Sequence, residues 1–284
     1  MSIQRRFGTW TAAVLVALAL ASAGPAHATR ASSSATAAVA APQTSHHYIS
    51  NLHGAVSGPL STGFNAFDTG ASSAQIDALP AGVQAVVWLG QKCPTPADDA
   101  FRQTVRSLSG RSDVLGYYLS DEPHIADCPN GPAALASRAD FIYRLNHGRQ
   151  RSFIVLSKVE DFRPFRTSVT HVGMVGLDPY PCSVANPSCD ISKIDERVSA
   201  ARAAGIPLGR IVPTYQAFGQ SAASDHYYNL PTAPQLQAML ARWAALVPNP
   251  RMDYTYGWGH QDSSNPTLVD APGLQQVLSN AFHG

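Results

Sequence analysis

The feature that most constrains this chain is a regular alternation of short strand-like segments with helix-forming ones. From His46 onward, each strand-like segment is rich in β-branched or aromatic residues and is bounded by Gly, Pro or polar residues. In chain order these segments are HYISNL, GFNAFD, VQAVVWLG, VLGYYLSDE, SFIVLS, VGMVGLD, RIVPTYQ and MDYTYGW. Between them, Thr95 with Asp98 and Thr232 with Gln235 have capping-box spacing, which predicts helices that begin at Thr95 and Thr232.

Eight strands that alternate with helices in one domain predict an α/β fold, a single (β/α)8 TIM barrel over residues 46–284. An open doubly wound sheet is the competing fold. It would require a glycine-rich phosphate turn after its first strand, and the sequence has none. The first strand is the least defined, because HHYISNLHG also fits a loop.

Residues 1–28 have the pattern of a secretory signal peptide. Arg5 and Arg6 precede an apolar stretch that ends in Ala26-His27-Ala28, so cleavage is predicted after Ala28. A membrane anchor is the alternative, but the apolar run is short for a bilayer span. Residues 29–45 are rich in Ala, Ser and Thr and are predicted to form a disordered linker. We therefore expect a secreted protein with no membrane association after cleavage.

The charge and the cysteine content limit which ligands and which redox compartment fit this protein. A formal net charge of +1 with 14% charged residues provides no basic stripe for nucleic acid. We expect a monomer that uses no metal and no cofactor. Four cysteines fit an oxidising compartment, and we favour disulfides Cys93–Cys128 and Cys182–Cys189 because the second pair flanks a short Pro-containing loop. A zinc site is the alternative, but the spacings match no common zinc motif.

In such barrels the functional residues lie at the carboxyl ends of the strands. The fourth strand ends in Asp121-Glu122 and the sixth ends at Asp178. Because side chains alternate along a strand, Asp121 and Glu122 are expected on opposite faces. The face with Gly116 suits the crowded interior and carries Glu122, so Asp121 is expected to face the helix layer or the loop near Pro123. The same alternation places Asp178 inside.

Two carboxylates that face one cleft are what glycosidic cleavage requires. We predict Glu122 as the general acid, with its pKa raised in an aromatic mouth. Pro123 favours an extended backbone at Glu122. Asp178 is predicted as nucleophile or base, and Asp68, at the end of the second strand, is the alternative. A separation of roughly 5–5.5 Å between the carboxyls would favour retention, and roughly 6.5–9.5 Å would favour inversion.

A carbohydrate substrate is also indicated by aromatic and polar residues near the predicted strand ends. Flat aromatic rings stack on sugar C–H faces, while polar groups bind hydroxyls. The predicted substrate-binding residues are Asp68, Asn65, Trp88, Asp121, Tyr180, Tyr215, Gln216, Tyr256 and Trp258.

The motifs GYYLSDEP, GLDPYP, PTYQAFG and YTYGWG resemble those of secreted bacterial glycoside-hydrolase-like barrel proteins. The layout is similar to that of the clan of retaining glycosidases whose acid/base glutamate follows the fourth strand. The resemblance covers most of the chain beyond residue 60 and implies that Glu122 occupies the acid/base position. The chain departs from that clan in two places. Asp121 replaces the usual asparagine, and the seventh strand ends near Gln216 without a nucleophilic glutamate.

Two other functions stay open. Without a glutamate on the seventh strand, the protein is alternatively a non-catalytic carbohydrate-binding barrel. A metal- or histidine-dependent hydrolase is the third hypothesis, but His46 and His47 are adjacent on a strand and diverge, and no metal-ligand spacing such as His-Glu-x-x-His occurs.

Overall fold

The computed structural model describes residues 40–221, 226–261 and 263–283. Its strands pair in parallel and close into a barrel in the order β1-β2-β3-β4-β5-β6-β7-β8. The predicted (β/α)8 fold is confirmed, including the first strand, which pairs with both β2 and β8. The strands are β1 (His47–Ile49), β2 (Ala66–Thr69), β3 (Gln84–Trp88), β4 (Val114–Asp121), β5 (Arg151–Leu156), β6 (Met174–Leu177), β7 (Ile211–Gln216) and β8 (Asp253–Tyr256).

Helices connect the strands on the outside of the barrel. They are α1 (Ser57–Thr62), α2 (Ser73–Asp77), α3 (Asp99–Leu108), α4 (Gly131–Asn146), α5 (Val159–Phe162), α6 (Thr167–Thr170), α7 (Ser192–Ala203), α8 (Ala233–Leu246) and α9 (Pro272–Phe282). The capping box predicted at Thr232 and Gln235 is present at the start of α8. The start predicted at Thr95 is wrong: α3 begins after Asp98, whose side chain accepts a hydrogen bond from the Phe101 N–H.

Two apolar layers follow from the alternation of side chains along the strands. The inner layer fills the barrel and contains residues from every strand, among them Tyr48, Tyr118, Phe153 and Tyr254. The outer layer packs the other strand faces against the helices. Full burial of a large apolar side chain contributes about 1.5–3 kcal/mol, so both layers stabilise the barrel that carries the site.

Residues just before His46 contact the barrel. Ala41 is buried and the Gln43 N–H donates to the Pro248 carbonyl at 2.7 Å, so residues just before the expected boundary at His46 already contact the domain. The predicted signal peptide at 1–28, and the linker as far as residue 39, lie outside the described residues. Within the described residues, no helix combines the length and apolarity needed to cross a membrane.

Both disulfides are formed in the predicted pairing. Cys93 bonds to Cys128 and Cys182 bonds to Cys189. The alternative of a cysteine zinc site is therefore wrong, because all four thiols are consumed. The described residues also contain no group of three or more His, Cys, Asp and Glu side chains arranged to hold a metal ion.

Candidate active site

The carboxyl end of β4 differs from regular strand geometry. Tyr118 pairs with Phe153 on β5, but the next paired residue is Ser120, so Leu119 forms a β-bulge. One extra residue exchanges the two faces of a strand. Asp121 consequently pairs with the inner residue Val155 and faces the barrel mouth.

This bulge overturns the prediction for Asp121 and also changes the face of Ser120. Asp121 does not face the helix layer, since its Oδ1 accepts a hydrogen bond from the inner Tyr118 hydroxyl at 2.6 Å. Ser120 would share the inner face with Gly116 and Glu122 in a regular strand, but it pairs with the outer residue Ile154, and its Oγ donates to the Gln91 carbonyl at 2.8 Å. The adjacent acids Asp121 and Glu122 therefore both belong to the mouth.

Glu122 turns into the mouth by a second departure from strand geometry. Its φ is 46°, in the left-handed region, so the extended backbone predicted from Pro123 is not found. Such a conformation is strained for a residue with a side chain and persists only where surrounding contacts hold it. The Glu122 N–H donates to the Val155 carbonyl at 3.1 Å. Its carboxyl interacts with Ser157, after β5, and with Asp178, after β6.

Asp178 occupies the position that the alternation predicted. Val175 and Leu177 lie in the outer layer, while a side chain on Gly176 would meet the inner Phe153 and Val155. Asp178 therefore points inward, with only 6% of its surface exposed. Its N–H donates to the Leu156 carbonyl at 3.2 Å, which fixes the end of β6.

The three acids at the ends of β4 and β6 hold their protons more tightly than free carboxyls. Burial, followed by the negative charges of Glu122 and Asp121, raises the pKa of Asp178 well above its usual value. Burial and the charge of Asp121 raise the pKa of Glu122, against hydrogen bonds from Asp178 and Ser157. Burial also raises the pKa of Asp121, and the Tyr118 hydroxyl opposes that shift.

These acids differ in access to solvent. Asp121 is the most exposed of the three residues, although many protein atoms lie around its carboxyl. Glu122 is half-buried and Asp178 is buried. The cluster can therefore hold a proton on Asp178 and exchange protons with solvent or a ligand at Glu122 and Asp121. Adjacent carboxyls titrate as a unit rather than as independent groups.

Asp68 lies near the end of β2, two strands from β4 in the barrel. The Asn51 N–H donates to its Oδ2 at 3.3 Å, while Oδ1 is buried and has no partner in the part of the chain that the structure describes. Burial raises the pKa of this carboxyl. Tyr48 lies near both Asp68 and Asp121, and burial followed by those two charges raises its pKa well above the usual value.

Aromatic side chains form two platforms around the acids. Tyr180 packs edge-on against Phe218 at 5.0 Å and against Tyr228 at 5.6 Å between ring centroids, and Phe218 contacts Tyr256 at 5.2 Å. Across the mouth, Trp88 is 44% exposed and borders a groove of about 510 Å³ that Asp68 also lines. Predicted residues Trp88, Tyr180 and Tyr256 are therefore brought to this end of the barrel.

Tyr228 is a mouth residue that sequence reasoning missed. It lies on the loop between β7 and α8, outside any strand pattern. Burial, followed by the nearby charge of Glu122, raises its pKa to about 12. Ser157 was missed as well, although its position directly after β5 is a signal of the same kind that identified Asp178.

Three predicted substrate-binding residues are placed elsewhere. Asn65 precedes β2 at the amino end of the barrel, where it accepts from the His47 N–H at 2.9 Å. Tyr215 is fully buried in the outer layer, with its hydroxyl donating to Asp253 at 3.2 Å. Trp258 is 3% exposed and packs against Phe64. All three residues lie near strand ends, as the sequence indicates. Asn65, however, is at the amino end of the barrel, and the side chains of Tyr215 and Trp258 pack in the outer layer.

Gln216 reaches the carboxyl end of β7 but has no group free for a ligand. It is fully buried, and its Oε1 accepts from the Cys182 N–H at 2.9 Å. Its Nε2 donates to the carbonyls of Cys182 at 2.9 Å and Asn229 at 3.0 Å. The amide therefore joins the loops after β6 and β7, and its polar atoms are bonded to the protein instead of facing the mouth.

Comparison with known proteins identifies the architecture. No protein-family model matches the chain, and a search of curated proteins finds no match. The barrel is similar to a chitinase from Bacteroides thetaiotaomicron, with a TM-score of 0.54 and 9% identity over 84% of this chain and 97% of that one. It is also similar to a GH128 (subgroup I) endo-β-1,3-glucanase from Amycolatopsis mediterranei in complex with laminaritriose, with a TM-score of 0.53 and 13% identity over 84% and 99% of the two chains.

A third similar structure is an endo-β-N-acetylglucosaminidase from Cordyceps militaris, with a TM-score of 0.50 and 10% identity over 85% of this chain and 91% of that one. At these identities the likeness shows the (β/α)8 fold alone.

Proposed function

We propose that this protein is a secreted glycoside hydrolase that cleaves O-glycosidic bonds of an extracellular poly- or oligosaccharide. The observation that carries this proposal is the convergence of Glu122, Asp121 and Asp178 in one aromatic barrel mouth. Glycosidic cleavage needs a protonated acid at the leaving oxygen and a negative charge near the sugar. The names of the structurally similar proteins are consistent with a β-linked glucan or N-acetylglucosamine polymer as substrate.

We assign the general acid to Glu122. Its carboxyl is the half-buried member of the pair, so it reaches a substrate oxygen while burial raises its pKa and keeps it protonated. Asp178 is enclosed behind it and donates a hydrogen bond to Glu122. This bond stabilises the Glu122 carboxylate that forms when the proton passes to the leaving group. Asp178 thus positions and supports the acid.

The second catalytic role, that of the negatively charged nucleophile or base, suits Asp121 better than Asp178. Sequence reasoning preferred Asp178 as nucleophile or base, but burial and two neighbouring carboxyls favour its neutral form. Asp121 is the most exposed of the three acids, and the hydrogen bond that it accepts from Tyr118 favours its ionised form against the rise in its pKa that burial causes. Asp68, with its unpartnered Oδ1 beside Trp88, suits a sugar hydroxyl.

The test is release of reducing ends from a panel of polysaccharides, with β-1,3-glucan and chitin first. Wild type is expected to release reducing ends from at least one polymer, and Glu122→Gln to lose about 10²–10⁴-fold in rate. Glu196→Gln, at an exposed position on α7, is the matched control and should retain full activity. Equal rates for wild type and Glu122→Gln would exclude Glu122 as the acid.

A carbohydrate-binding barrel without catalysis is the second candidate. The observation that favours it is Gln216, because β7 ends in a buried amide where a nucleophile would lie in the retaining clan. Calorimetric titration with the same oligosaccharides separates the two functions. Binding that survives Glu122→Gln, with no reducing ends from wild type, would establish the binding protein.

A further inference from the structure

A second charged cavity lies at the amino end of the barrel, opposite the acids. It has a volume of about 500 Å³ and is lined by residues of α4, α6 and the starts of β5 to β7, including Arg151 and Arg210. Arg151 is the first residue of β5, and Arg210 directly precedes β7. Both side chains are partly buried, so their charges lie within the cavity wall and are not fully hydrated.

A third guanidinium, that of Arg251, lies near Arg151. Arg251 lies two residues before β8, and its Nε donates to the Gly209 carbonyl at 3.3 Å. Arg210 is held by a hydrogen bond from its Nη1 to the Gly173 carbonyl at 3.0 Å. Burial, followed by the positive charges of Arg251 and Arg210, lowers the pKa of Arg151. The positive charges of Arg210 and Arg251 therefore act on Arg151.

Within the described residues, no carboxylate forms an ion pair with any of these three arginines. Arginine ion pairs are made instead by Arg102, Arg111 and Arg242. The acidic residue that lines the cavity is Asp140, and its Oδ1 is bonded to His171 Nδ1 at 2.8 Å. Among the described residues the three arginines therefore have no direct carboxylate partner, although Asp140 lines the same cavity.

We propose that this cavity binds a ligand that carries a multivalent oxyanion, a phosphate or sulfate ester. Arginine guanidinium groups have fixed forks of N–H donors that match phosphate and sulfate oxygens in pairs. An oxyanion between Arg151 and Arg210 would offset the repulsion that Arg210 and Arg251 exert on Arg151. Because the cavity is larger than an inorganic anion, it also accommodates the group that the ester is attached to.

The experiment uses the whole chain, with inorganic phosphate and inorganic sulfate as probes against chloride at matched ionic strength. Both probes are expected to bind saturably in calorimetric titration and to raise the midpoint of thermal unfolding with concentration. Arg151→Gln is expected to weaken the Kd for both probes at least tenfold. Without the probe, this variant should unfold at the same or a higher temperature than wild type, because one repelling charge is removed.

Arg102→Gln, on α3 and outside the cavity, is the matched control and should bind as wild type does. Arg151→Lys and Arg210→Gln provide independent variants if Arg151→Gln does not fold. The lysine keeps the charge without the fork, so its loss of affinity should be intermediate. The proposal is overturned if wild type shows no saturable binding of either anion, or if the cavity variants bind both anions with the wild-type Kd. This experiment does not measure polysaccharide hydrolysis. Either proposal can therefore be contradicted without the other.

Discussion

Asp178, with 6% of its surface exposed, lies beside the half-buried Glu122 at the barrel mouth, and the two carboxyls interact. Glu122 directly follows β4 and Asp178 directly follows β6, so their contact spans β5 and depends on the pairing of β5 with both neighbours. Burial and the neighbouring charges of Glu122 and Asp121 favour the proton on Asp178. This relationship sets the acid–base behaviour of the site and its response to pH.

The first prediction concerns stability against pH. Because the pKa of Asp178 is raised in the folded state, the folded protein binds more protons than the unfolded one above pH about 4. The free energy of unfolding should therefore fall as pH rises from that value towards the folded pKa, by at most about 1.4 kcal/mol per pH unit for one proton. Asp178→Asn should flatten this slope and unfold at neutral pH no earlier than wild type.

Urea unfolding at a series of pH values measures this difference. Asp99→Asn, whose side chain is fully exposed on α3, is the control and should keep the wild-type slope. A wild-type slope in Asp178→Asn would show that Asp178 is not the group that takes up the proton.

The second prediction concerns the bond between Tyr118 and Asp121. Removing the hydroxyl in Tyr118→Phe takes away the interaction that lowers the pKa of Asp121, so this pKa should rise. If Asp121 acts as an anion, the acidic limb of the pH–activity profile should move to higher pH. The loss of one buried hydrogen bond should cost about 1 kcal/mol of stability.

Tyr143→Phe is the matched control, because Tyr143 is 62% exposed on α4. An acidic limb in Tyr118→Phe that coincides with that of the control would exclude the anionic role of Asp121.

The third prediction separates the structural role of Gln216 from a catalytic one. In Gln216→Glu a carboxylate oxygen would replace the amide donor that faces the carbonyls of Cys182 and Asn229. The variant should lose about 1–3 kcal/mol of stability at neutral pH and recover part of it in acid, where the protonated group donates again. It should gain no hydrolytic activity.

Thermal unfolding and reducing-end release test this prediction together. Gln276→Glu, exposed on α9, introduces the same charge without breaking buried bonds and should unfold as wild type does. A faster Gln216→Glu enzyme would contradict the structural role.

The fourth prediction compares the disulfides. Cys93 and Cys128 are 35 residues apart and Cys182 and Cys189 are 7 apart. On chain entropy, replacing the first pair with serine should cost about 4 kcal/mol and the second about 2 kcal/mol. The second replacement should lower activity more, because the Cys182 loop follows Tyr180 and is held by Gln216.

Urea unfolding and activity of the two double-serine variants provide the comparison. A larger loss of activity from the Cys93–Cys128 replacement would show that the loop after β6 does not control the mouth.

Local sequence patterns determined a large part of this protein. The spacing of strand and helix signals sufficed for the (β/α)8 barrel, since each unit buries one apolar face and its period is visible in the chain. The position of Asp178 followed from alternation along β6, which is regular. Both disulfides were also predicted, because the cysteines are few and one pair is close in sequence.

Tertiary structure alone decided how β4 ends and which strand-end residues reach the mouth. The bulge at Leu119 results from pairing with β5, a strand thirty residues away, and no local pattern marks it. That bulge and the left-handed Glu122 bring both neighbouring acids into the mouth, against the alternation of a regular strand. Gln216 does not face the mouth, because its side-chain amide is hydrogen-bonded to backbone groups of two loops that are distant in sequence. Periodicity is local, whereas strand register and hydrogen-bond partners are fixed only when distant segments meet.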